Sequence, residues 1–252
     1  EVLIDGLKPY DSKKRKEVLK KIGVVFGQRT QLWWDLPLLE TYYLLKDIYE
    51  VSDEDFNERF TYLRKTLELE KFIQSPVRTL SLGQRMRADL AASLIHNPEI
   101  LFLDEPTIGL DVLVKEHIIK AIKEINEKYN TTVILTTHDM NDIISLCNRV
   151  IIIDEGKILF DGHIDEVKNR FGNIKNIFLS SNNFDADKLL SIYPEILIDN
   201  ENNNIKIKFD ADKTNINDLM KTIFYCGDIK DISIKENDLS NVVKQIYENK
   251  AF

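Results

Sequence analysis

The chain has few cysteines and no long apolar run. Its two cysteines, Cys147 and Cys226, are too few and too widely separated in sequence to indicate a disulfide framework or a metal motif. No apolar run approaches the roughly 20 residues of a membrane-spanning helix. Basic residues are also outnumbered, since 34 lysines and arginines face 42 acids and the net charge is −8. That balance, without a basic block, argues against nucleic acid as a partner.

Three short apolar segments are followed by polar side chains of related chemistry: residues 22–26 by Gln28, residues 100–103 by Asp104 and Glu105, and residues 133–135 by His138. Such runs are typical of parallel strands buried on both faces. Open α/β sheets place their chemistry at the carboxyl ends of the strands. We therefore expect these side chains to converge, where Asp104 could bind Mg²⁺ and Glu105 could polarise an attacking water. Strands that end in solvated polar turns would have the same local sequence.

A second motif, L-S-L-G-Q-R at residues 80–85, opens a predicted helix over residues 84–96. Apolar residues recur at helical spacing, and Asn97-Pro98 ends the segment. Ser81 is the predicted N-cap, and Gly83 would let a phosphate approach the backbone. The free N–H groups of a helix N-terminus bind anions. An ordinary capped helix is the alternative interpretation of this motif.

Together these motifs resemble the nucleotide-binding subunit of ABC transporters, and the resemblance covers about residues 1–170. The motifs follow the order of the family: the glutamine loop at Gln28, the signature at Ser81 to Arg85, the Walker B strand with Asp104 and Glu105, the D-loop at Gly109 to Asp111, and the switch histidine His138. Leu82 departs from the family pattern, in which many members have glycine. Because Ser81 and Gly83 are kept, we do not expect this change to inactivate the protein.

The resemblance implies that the motifs bind and hydrolyse ATP with Mg²⁺. Glu105 would be the general base, His138 would contact the γ-phosphate, and Asp104 and Gln28 would serve the metal. The signature residues Ser81, Gly83 and Gln84 would close on ATP held by a second copy, and Asp111 would link the two sites. The implied partners are a second ATPase subunit and membrane-spanning permease subunits, which would hold the protein at the cytoplasmic face of the cell membrane.

The phosphate loop of this family, G-x-x-x-x-G-K-[ST], is absent from the sequence. The pair Gly156-Lys157 lacks both the earlier glycine and the following hydroxyl residue. Residues 1–6 resemble the strand and turn downstream of that loop, so we expect the N-terminal part of the domain to be missing. A natural protein without the loop is the alternative. We expect the 252-residue chain alone to bind ATP weakly and to show negligible hydrolysis.

Residues 36–96 are predicted to form a helical subdomain, which in the family faces the membrane subunit. One helix would run from Pro37 to Tyr49, and a second would open at a capping box beginning with Ser52 and reach about Phe72. Trp33 and Trp34 precede them and would form either local core or a docking surface for the permease. The sequence of residues 28–35, Q-R-T-Q-L-W-W-D, resembles the loop of ABC-2-type exporter ATPases.

Beyond residue 171 the pattern predicts a β-α-β-β-α-β domain with a final helix, the element order of a ferredoxin-like fold. The predicted strands are 174–180, 195–199, 205–209 and 228–235, and the predicted helices are 185–193, 215–225 and 239–247. In related exporters such a domain regulates or dimerises the subunit.

The sequence thus predicts an α/β protein, with an ABC ATPase domain over residues 1–171 and a small α+β domain over residues 172–252. The expected function is the ATPase subunit of an ABC-2-type exporter. One alternative is a soluble ABC ATPase acting on nucleic acid or ribosomes, which the acidic charge and single cassette disfavour. Another is a non-hydrolysing regulatory protein without a phosphate loop.

Overall fold

The computed structural model describes residues 1–27, 29–171, 174–201 and 204–236. Gln28 and the predicted helix at residues 239–247 lie outside the described residues. Contacts divide the chain into two compact units, Glu1–Leu146 and Cys147–Phe252. The functional boundary expected between residues 171 and 172 stays a prediction.

Three parallel strands form the sheet of the first unit, in the order β1 (Ile22–Phe26), β2 (Ile100–Asp104) and β3 (Thr132–Thr136). Phe26, Asp104 and Thr136 are in register at the last position of each strand. The carboxyl ends of all three strands therefore meet at one edge, as the sequence predicts.

Among the described residues, one face of this sheet is buried and the other is only partly buried, so full burial on both faces, which the apolar runs predict, is not observed. Val25, Leu101 and Leu103 are buried, whereas Phe26 is 51% and Ile134 is 45% exposed. An apolar run makes a strand suitable for burial on both sides, but it does not supply the element that covers the second side. Burial therefore alternates along the strands, with a period of two residues.

The helices described in the first unit are α1 (Arg15–Lys21), α2 (Leu38–Ile48), α3 (Asp53–Thr66), α4 (Leu82–Leu94), α5 (Val112–Tyr129) and α6 (Met140–Leu146). One apolar core runs from the helical subdomain to the packed face of the sheet, and includes Tyr42, Phe56, Leu63, Leu90 and Leu101. No helix in the described part of the chain is both long enough and apolar enough to cross a membrane.

Local sequence explains the ends of the two helices that flank the signature region. Ser52 caps α3 through its side chain, which accepts a hydrogen bond from the Asp55 N–H at 3.1 Å. This helix ends at Thr66 rather than near Phe72, because Glu68 adopts a left-handed conformation with φ 50°. Helix α4 begins two residues earlier than predicted, directly after Ser81, which is the N-cap as expected.

In the second unit, β4 (Arg149–Asp154) and β5 (Lys157–His163) form an antiparallel hairpin that is followed by α7 (Ile164–Phe171). Glu155 and Gly156 make the turn, with φ values of 48° and 75°. Gly156 therefore supplies a left-handed turn residue, which accounts for the Gly-Lys pair without any phosphate chemistry.

The rest of the second unit has the predicted β-α-β-β-α-β order: β6 (Ile174–Ser181), α8 (Ala186–Ile192), β7 (Leu197–Glu201), β8 (Asn204–Asp210), α9 (Ile216–Tyr225) and β9 (Ile229–Glu236). The strands pair antiparallel in the order β7-β8-β6-β9. This is a ferredoxin-like arrangement. Its apolar core is separate from that of the first unit and is centred on Ile177, Ile207, Phe209, Leu219 and Ile223.

Candidate functional site

Backbone hydrogen bonds connect the residues that follow β1 and β2 to the end of the neighbouring strand, at the carboxyl edge of the sheet. The Gly27 N–H donates to the Asp104 carbonyl at 2.7 Å, and the Glu105 N–H donates to the Thr136 carbonyl at 2.9 Å. A Cβ on Gly27 would lie 2.1 Å from the Glu105 carbonyl oxygen. Glycine is therefore required at this position, immediately before Gln28.

The structure brings Glu105 and His138 together, as the sequence predicts. His138 Nδ1 lies 3.0 Å from Glu105 Oε1, and both side chains are accessible, at 75% and 38% exposure respectively. Glu105 has φ 48°, a left-handed conformation that is uncommon outside glycine. Such strained residues concentrate at functional sites. The carboxylate and the imidazole are therefore within hydrogen-bond distance of each other next to the open edge of the sheet.

Asp104 offers a carboxylate at the same edge. It is exposed, and the Thr136 hydroxyl donates to its Oδ1 at 2.5 Å, which fixes the orientation of the carboxylate. Within the described residues no cluster of three or more histidines, cysteines and acids is suited to a metal ion. Mg²⁺ does not need such a cluster, because it is commonly bound by one or two carboxylates together with substrate phosphates and water. Asp104 fits that chemistry.

The signature motif forms a complete capping box at the start of α4. The Gln84 N–H donates to Ser81 Oγ at 3.2 Å, and the Ser81 N–H donates to Gln84 Oε1 at 2.9 Å. Both predicted ligand-binding side chains therefore hold the helix end in this structure. A Cβ on Gly83 would lie 2.6 Å from Val114 Cγ1, so glycine also permits close packing of α4 on α5.

Asp111 has a similar capping role at the start of α5. Its Oδ1 accepts a hydrogen bond from the Val114 N–H at 3.0 Å. Gly109, two residues earlier, has φ 71° and makes the turn that leads into the helix. The signature and D-loop residues thus lie at two adjacent helix starts, and Val112 and Leu113 beside them are 71% and 70% exposed.

A buried acid that was not predicted from the sequence, Asp142 on α6, lies behind this edge. It is fully buried, and accepts from the hydroxyl of Thr107 at 2.5 Å and from that of Thr137 at 3.3 Å. Lys115 Nζ lies 2.9 Å from its other oxygen. Asp142 thereby joins the segment before the D-loop to the segment before His138. No motif marks this residue, because its role depends on contacts distant in sequence.

Lys115 also pairs with Asp139, the residue after His138. Burial acts against the charge on Lys115, but hydrogen bonds to Asp139 and Asp142 outweigh it and raise the lysine pKa. The hydrogen bond from Lys115 lowers the pKa of Asp139. An open cavity of about 590 Å³ lies over this network, and its lining includes Glu105, Thr107, Lys115, His138 and Asp139.

Comparisons with known proteins agree with these motifs. The family model described as ABC transporter matches residues 1–108. The methionine import ATP-binding protein MetN 1 of Oenococcus oeni is 32% identical over 174 residues, which cover 66% of this chain and 48% of that protein. The linearmycin resistance ATP-binding protein LnrL of Bacillus subtilis is 30% identical over 181 residues, which cover 68% of this chain and 58% of that protein.

The chain spans less than two thirds of the length of either relative. Among solved structures, it is similar to an ATP-binding cassette determined as a dimer in a post-hydrolysis state with ADP and Pi. That similarity has 33% identity and a TM-score of 0.55, and it covers 64% of this chain and 72% of that chain. With the motif order, the family match and this structural similarity in agreement, the chain belongs to the ATP-binding subunits of the ABC transporter family.

Proposed function

We propose that this protein is the ATP-hydrolysing subunit of an ABC-2-type exporter, with Glu105 as the general base. The observation that carries the proposal is the Glu105–His138 pair, 3.0 Å apart at the carboxyl edge of the parallel sheet and beside Asp104. A carboxylate next to a strand-end metal ligand is placed to orient and deprotonate an attacking water. His138, accessible on the same edge, would contact the γ-phosphate.

The metal and phosphate groups would be held by neighbouring side chains. Asp104 would bind Mg²⁺ together with Gln28, which lies outside the described residues. When bound, the ion would supply positive charge to stabilise the nucleotide phosphates. The chain's own contribution at this edge is to fix the Asp104 carboxylate through the Thr136 hydroxyl.

A second copy would complete the site. Ser81, Gly83 and Gln84 would face the phosphates of ATP bound to that copy, since a helix N-terminus favours anions, and Asp111 would link the two sites. Leu82, Val112 and Leu113 lie at the same two helix starts and are 42%, 71% and 70% exposed. Exposed apolar side chains next to the polar residues of the signature and the D-loop are suited to a protein–protein interface.

The exporter assignment rests on the loop at residues 28–35 rather than on overall identity. The two relatives differ in the process that their names give, methionine import for one and linearmycin resistance for the other, at 32% and 30% identity. The loop sequence, with its paired tryptophans, is what resembles ABC-2-type exporters.

Permease subunits in the membrane are the proposed partners, at the cytoplasmic face of the cell membrane. Trp33 and Trp34 are 40% and 48% exposed, so neither is a core residue. On α2, Tyr43, Leu44 and Ile48 are also exposed, at 46%, 40% and 56%. These side chains supply the aromatic and aliphatic anchors that are typical of binding hot spots.

The catalytic assignment is tested by Glu105→Gln in the complete gene product. This change keeps size and hydrogen bonding but removes the base and one negative charge. We expect ATP turnover to fall by at least two orders of magnitude, while ATP binding persists and an ATP-bound dimer accumulates. Steady-state phosphate release and size-exclusion chromatography with ATP measure both effects.

Glu127→Gln is the matched control, because Glu127 is exposed near the end of α5 and remote from the carboxyl edge. It should hydrolyse ATP at the unmodified rate. Near-normal hydrolysis by Glu105→Gln would remove Glu105 from its role. Absence of ATP binding and hydrolysis in the unmodified complete product would instead support the non-hydrolysing regulatory alternative.

A further inference from the structure

Asp89 on α4 is a buried acid that the proposed chemistry does not use. It is 4% exposed and lies two helical turns beyond Ser81 on the same helix. Burial is the main influence on its carboxyl group and raises its pKa to about 6, against hydrogen bonds from Thr30 and Gln31 and the charge of Arg85, which lower it. Because burial of a carboxylate is energetically costly, a buried acid is normally hydrogen-bonded or paired with a charge.

Its partners come from the loop between β1 and α2, which carries the tryptophans. The Thr30 hydroxyl donates to Asp89 Oδ1 at 3.0 Å, and the Gln31 N–H donates to the same oxygen at 3.2 Å. Thr30 Oγ1 in turn accepts from the Leu32 N–H at 3.1 Å. One carboxylate oxygen therefore holds the loop at the point where it leaves the edge of the sheet.

Arg85, one helical turn before Asp89, makes a second contact with the same loop. Its guanidinium carbon lies 4.7 Å from the centre of the Trp34 ring, a cation–π distance. Arg85 also ends the signature motif. The loop is thus attached to α4 at two successive turns, by Asp89 at Thr30 and by Arg85 at Trp34.

A backbone contact attaches the loop to the segment that leads into the signature. The Arg78 N–H donates to the Trp34 carbonyl at 2.9 Å, three residues before Ser81. Arg78 Nη1 also pairs with Asp35 Oδ1 at 2.6 Å. The tryptophan loop is therefore connected to the signature both before Ser81 and along the helix that follows.

We propose that Asp89 is a positioning residue that joins the tryptophan loop to the signature helix, so that displacement of the loop shifts the first turn of α4. The proposal deepens the proposed function, because it rests on that function for the assignment of the loop to the permease side. The segment from Ser81 to Asp89 spans about 12 Å of helix, and a hydrogen-bonded helix of this length moves as a unit. Displacement of Asp89 and Arg85 would therefore also displace Ser81 and Gly83, which in the proposed function would face a second copy's ATP.

Charge at Asp89 should affect the ring environment of Trp34. The charged and titratable groups around Asp89 are Arg85 on its own helix, Arg29 beside it in a small cavity of about 20 Å³, and Tyr42 on α2. The buried Tyr42 hydroxyl, whose pKa burial raises well above its ordinary value, does not titrate near pH 6. A change in the Trp34 environment near pH 6 would thus be assigned to protonation of Asp89.

The first test uses fluorescence of the 252-residue chain with Trp33→Phe, which leaves Trp34 as the single tryptophan. Emission should change with a midpoint near pH 6, and Asp89→Asn should abolish the transition. Asp35→Asn, which removes the carboxylate next to Trp34 in sequence, should keep it. A pH-independent Trp34 signal, or the same midpoint in Asp89→Asn, would overturn the proposal.

The second test asks whether the loop and the helix start are coupled. Thr30→Val removes the donor hydroxyl at nearly constant shape and changes only the loop side. Deuterium exchange should speed several-fold in a peptide that covers Leu82 to Arg85, with no change over the middle of α5. Asp89→Ala should do the same, and Asp89→Asn should restore slow exchange, because an amide oxygen accepts both hydrogen bonds.

Asp142→Ala, which removes a buried acid on α6, controls for general destabilisation and should leave the pH transition of Trp34 emission unchanged. Exchange that speeds only in the loop would contradict coupling, and so would uniform acceleration in every peptide. If Asp89→Ala fails to fold, Thr30→Val and the pH titration still decide the question. None of these measurements needs ATP or a permease, so their outcome is independent of the Glu105→Gln test.

Discussion

At the scale of the residue, His96 shows how burial sets charge. Its ring stacks on Tyr49 with centroids 3.8 Å apart, and Nε2 donates to the Ile22 carbonyl at 2.9 Å. Burial lowers the His96 pKa to about 4, while the hydrogen bond to Ile22 raises it and the charge of Arg59 lowers it further. The imidazole is therefore neutral in the folded protein at pH 5, where an unfolded histidine is mostly protonated.

Because of this difference in protonation, His96 lowers the free energy of unfolding at acidic pH. Because its folded pKa is depressed, its contribution to stability is complete above about pH 6.5 and is lost as the pH falls towards 4. The loss amounts to about 3 kcal/mol for a shift of this size. His96→Gln keeps an N–H donor but cannot take up a proton, so its unfolding free energy should fall less between pH 7 and pH 4. Urea unfolding at several pH values measures the difference.

His117→Gln is the matched control for that comparison, since His117 is exposed on α5. It should have the pH dependence of the unmodified chain. The buried Asp89 contributes with the opposite sign, because its raised pKa favours the folded state at low pH, but it is present in every variant and cancels. Equal slopes for His96→Gln and the unmodified chain would contradict the assignment.

Residues at strand ends could be predicted from the sequence, whereas buried positioning residues could not. Asp104, Glu105 and His138 follow apolar runs, and the parallel register fixes where those runs end. Asp89 and Asp142 have no such marker, because their partners Thr30 and Thr107 are 59 and 35 positions away. The double use of Gln84, as signature residue and capping-box partner, also appears only in the structure.

At the scale of the element, the first turns of α4 and α5 pack against each other. The ends of α4 were predicted to within two residues, because Ser81 and Asn97-Pro98 are strong local signals. Its packing partner was not predicted. Gly83 faces Val114 of α5 with no room for a methyl group, since a Cβ would lie 2.6 Å from Val114 Cγ1.

Gly83→Ala should therefore force the two helix starts apart. We expect destabilisation by about 1–3 kcal/mol, the usual range for overpacking, although alanine is otherwise the better helix former. Adding Val114→Ala removes the clashing methyl groups and should recover most of the loss. Thermal unfolding of the single and double variants measures the effect, and no recovery in the double variant would show that the cost has another origin.

At the scale of the whole molecule, the ferredoxin-like domain was predicted almost element for element. Burial alternates cleanly along β8, residues 204–210, where Ile205, Ile207 and Phe209 are buried between partly or fully exposed residues. The parallel sheet was predicted in type but not in burial, because its second face depends on elements that the apolar runs do not identify. No element was predicted for the β4–β5 hairpin.

The tryptophan surface belongs to this scale, because it would join two proteins. Trp33→Ala should remove a permease anchor worth about 2 kcal/mol or more, with little change in melting temperature, because Trp33 is 40% exposed. Trp34→Ala should also weaken permease binding and should lower the melting temperature more than Trp33→Ala does, since it loses the cation–π contact with Arg85 as well. Co-purification with the permease and thermal melting separate the two readouts.

Tyr10→Ala is the control for the tryptophan variants, because Tyr10 is an aromatic residue of the same unit and is 64% exposed. It should affect neither readout. A large drop in melting temperature for both tryptophan variants, of the kind expected for core aromatics at about 3–5 kcal/mol, would contradict a docking surface.

The domain boundary gives the last prediction. Among the described residues, the core of the ferredoxin-like arrangement lies between Ile177 and Ile232, and none of its members comes from the β4–β5 hairpin or α7. A fragment of residues 172–252 should therefore fold alone and unfold cooperatively in urea. Ile207→Asp in that fragment is the control, and should abolish the transition because it buries an unpaired charge at a fully buried position. If residues 172–252 are unfolded but residues 147–252 fold, the hairpin and α7 are part of this domain and the boundary lies at Leu146.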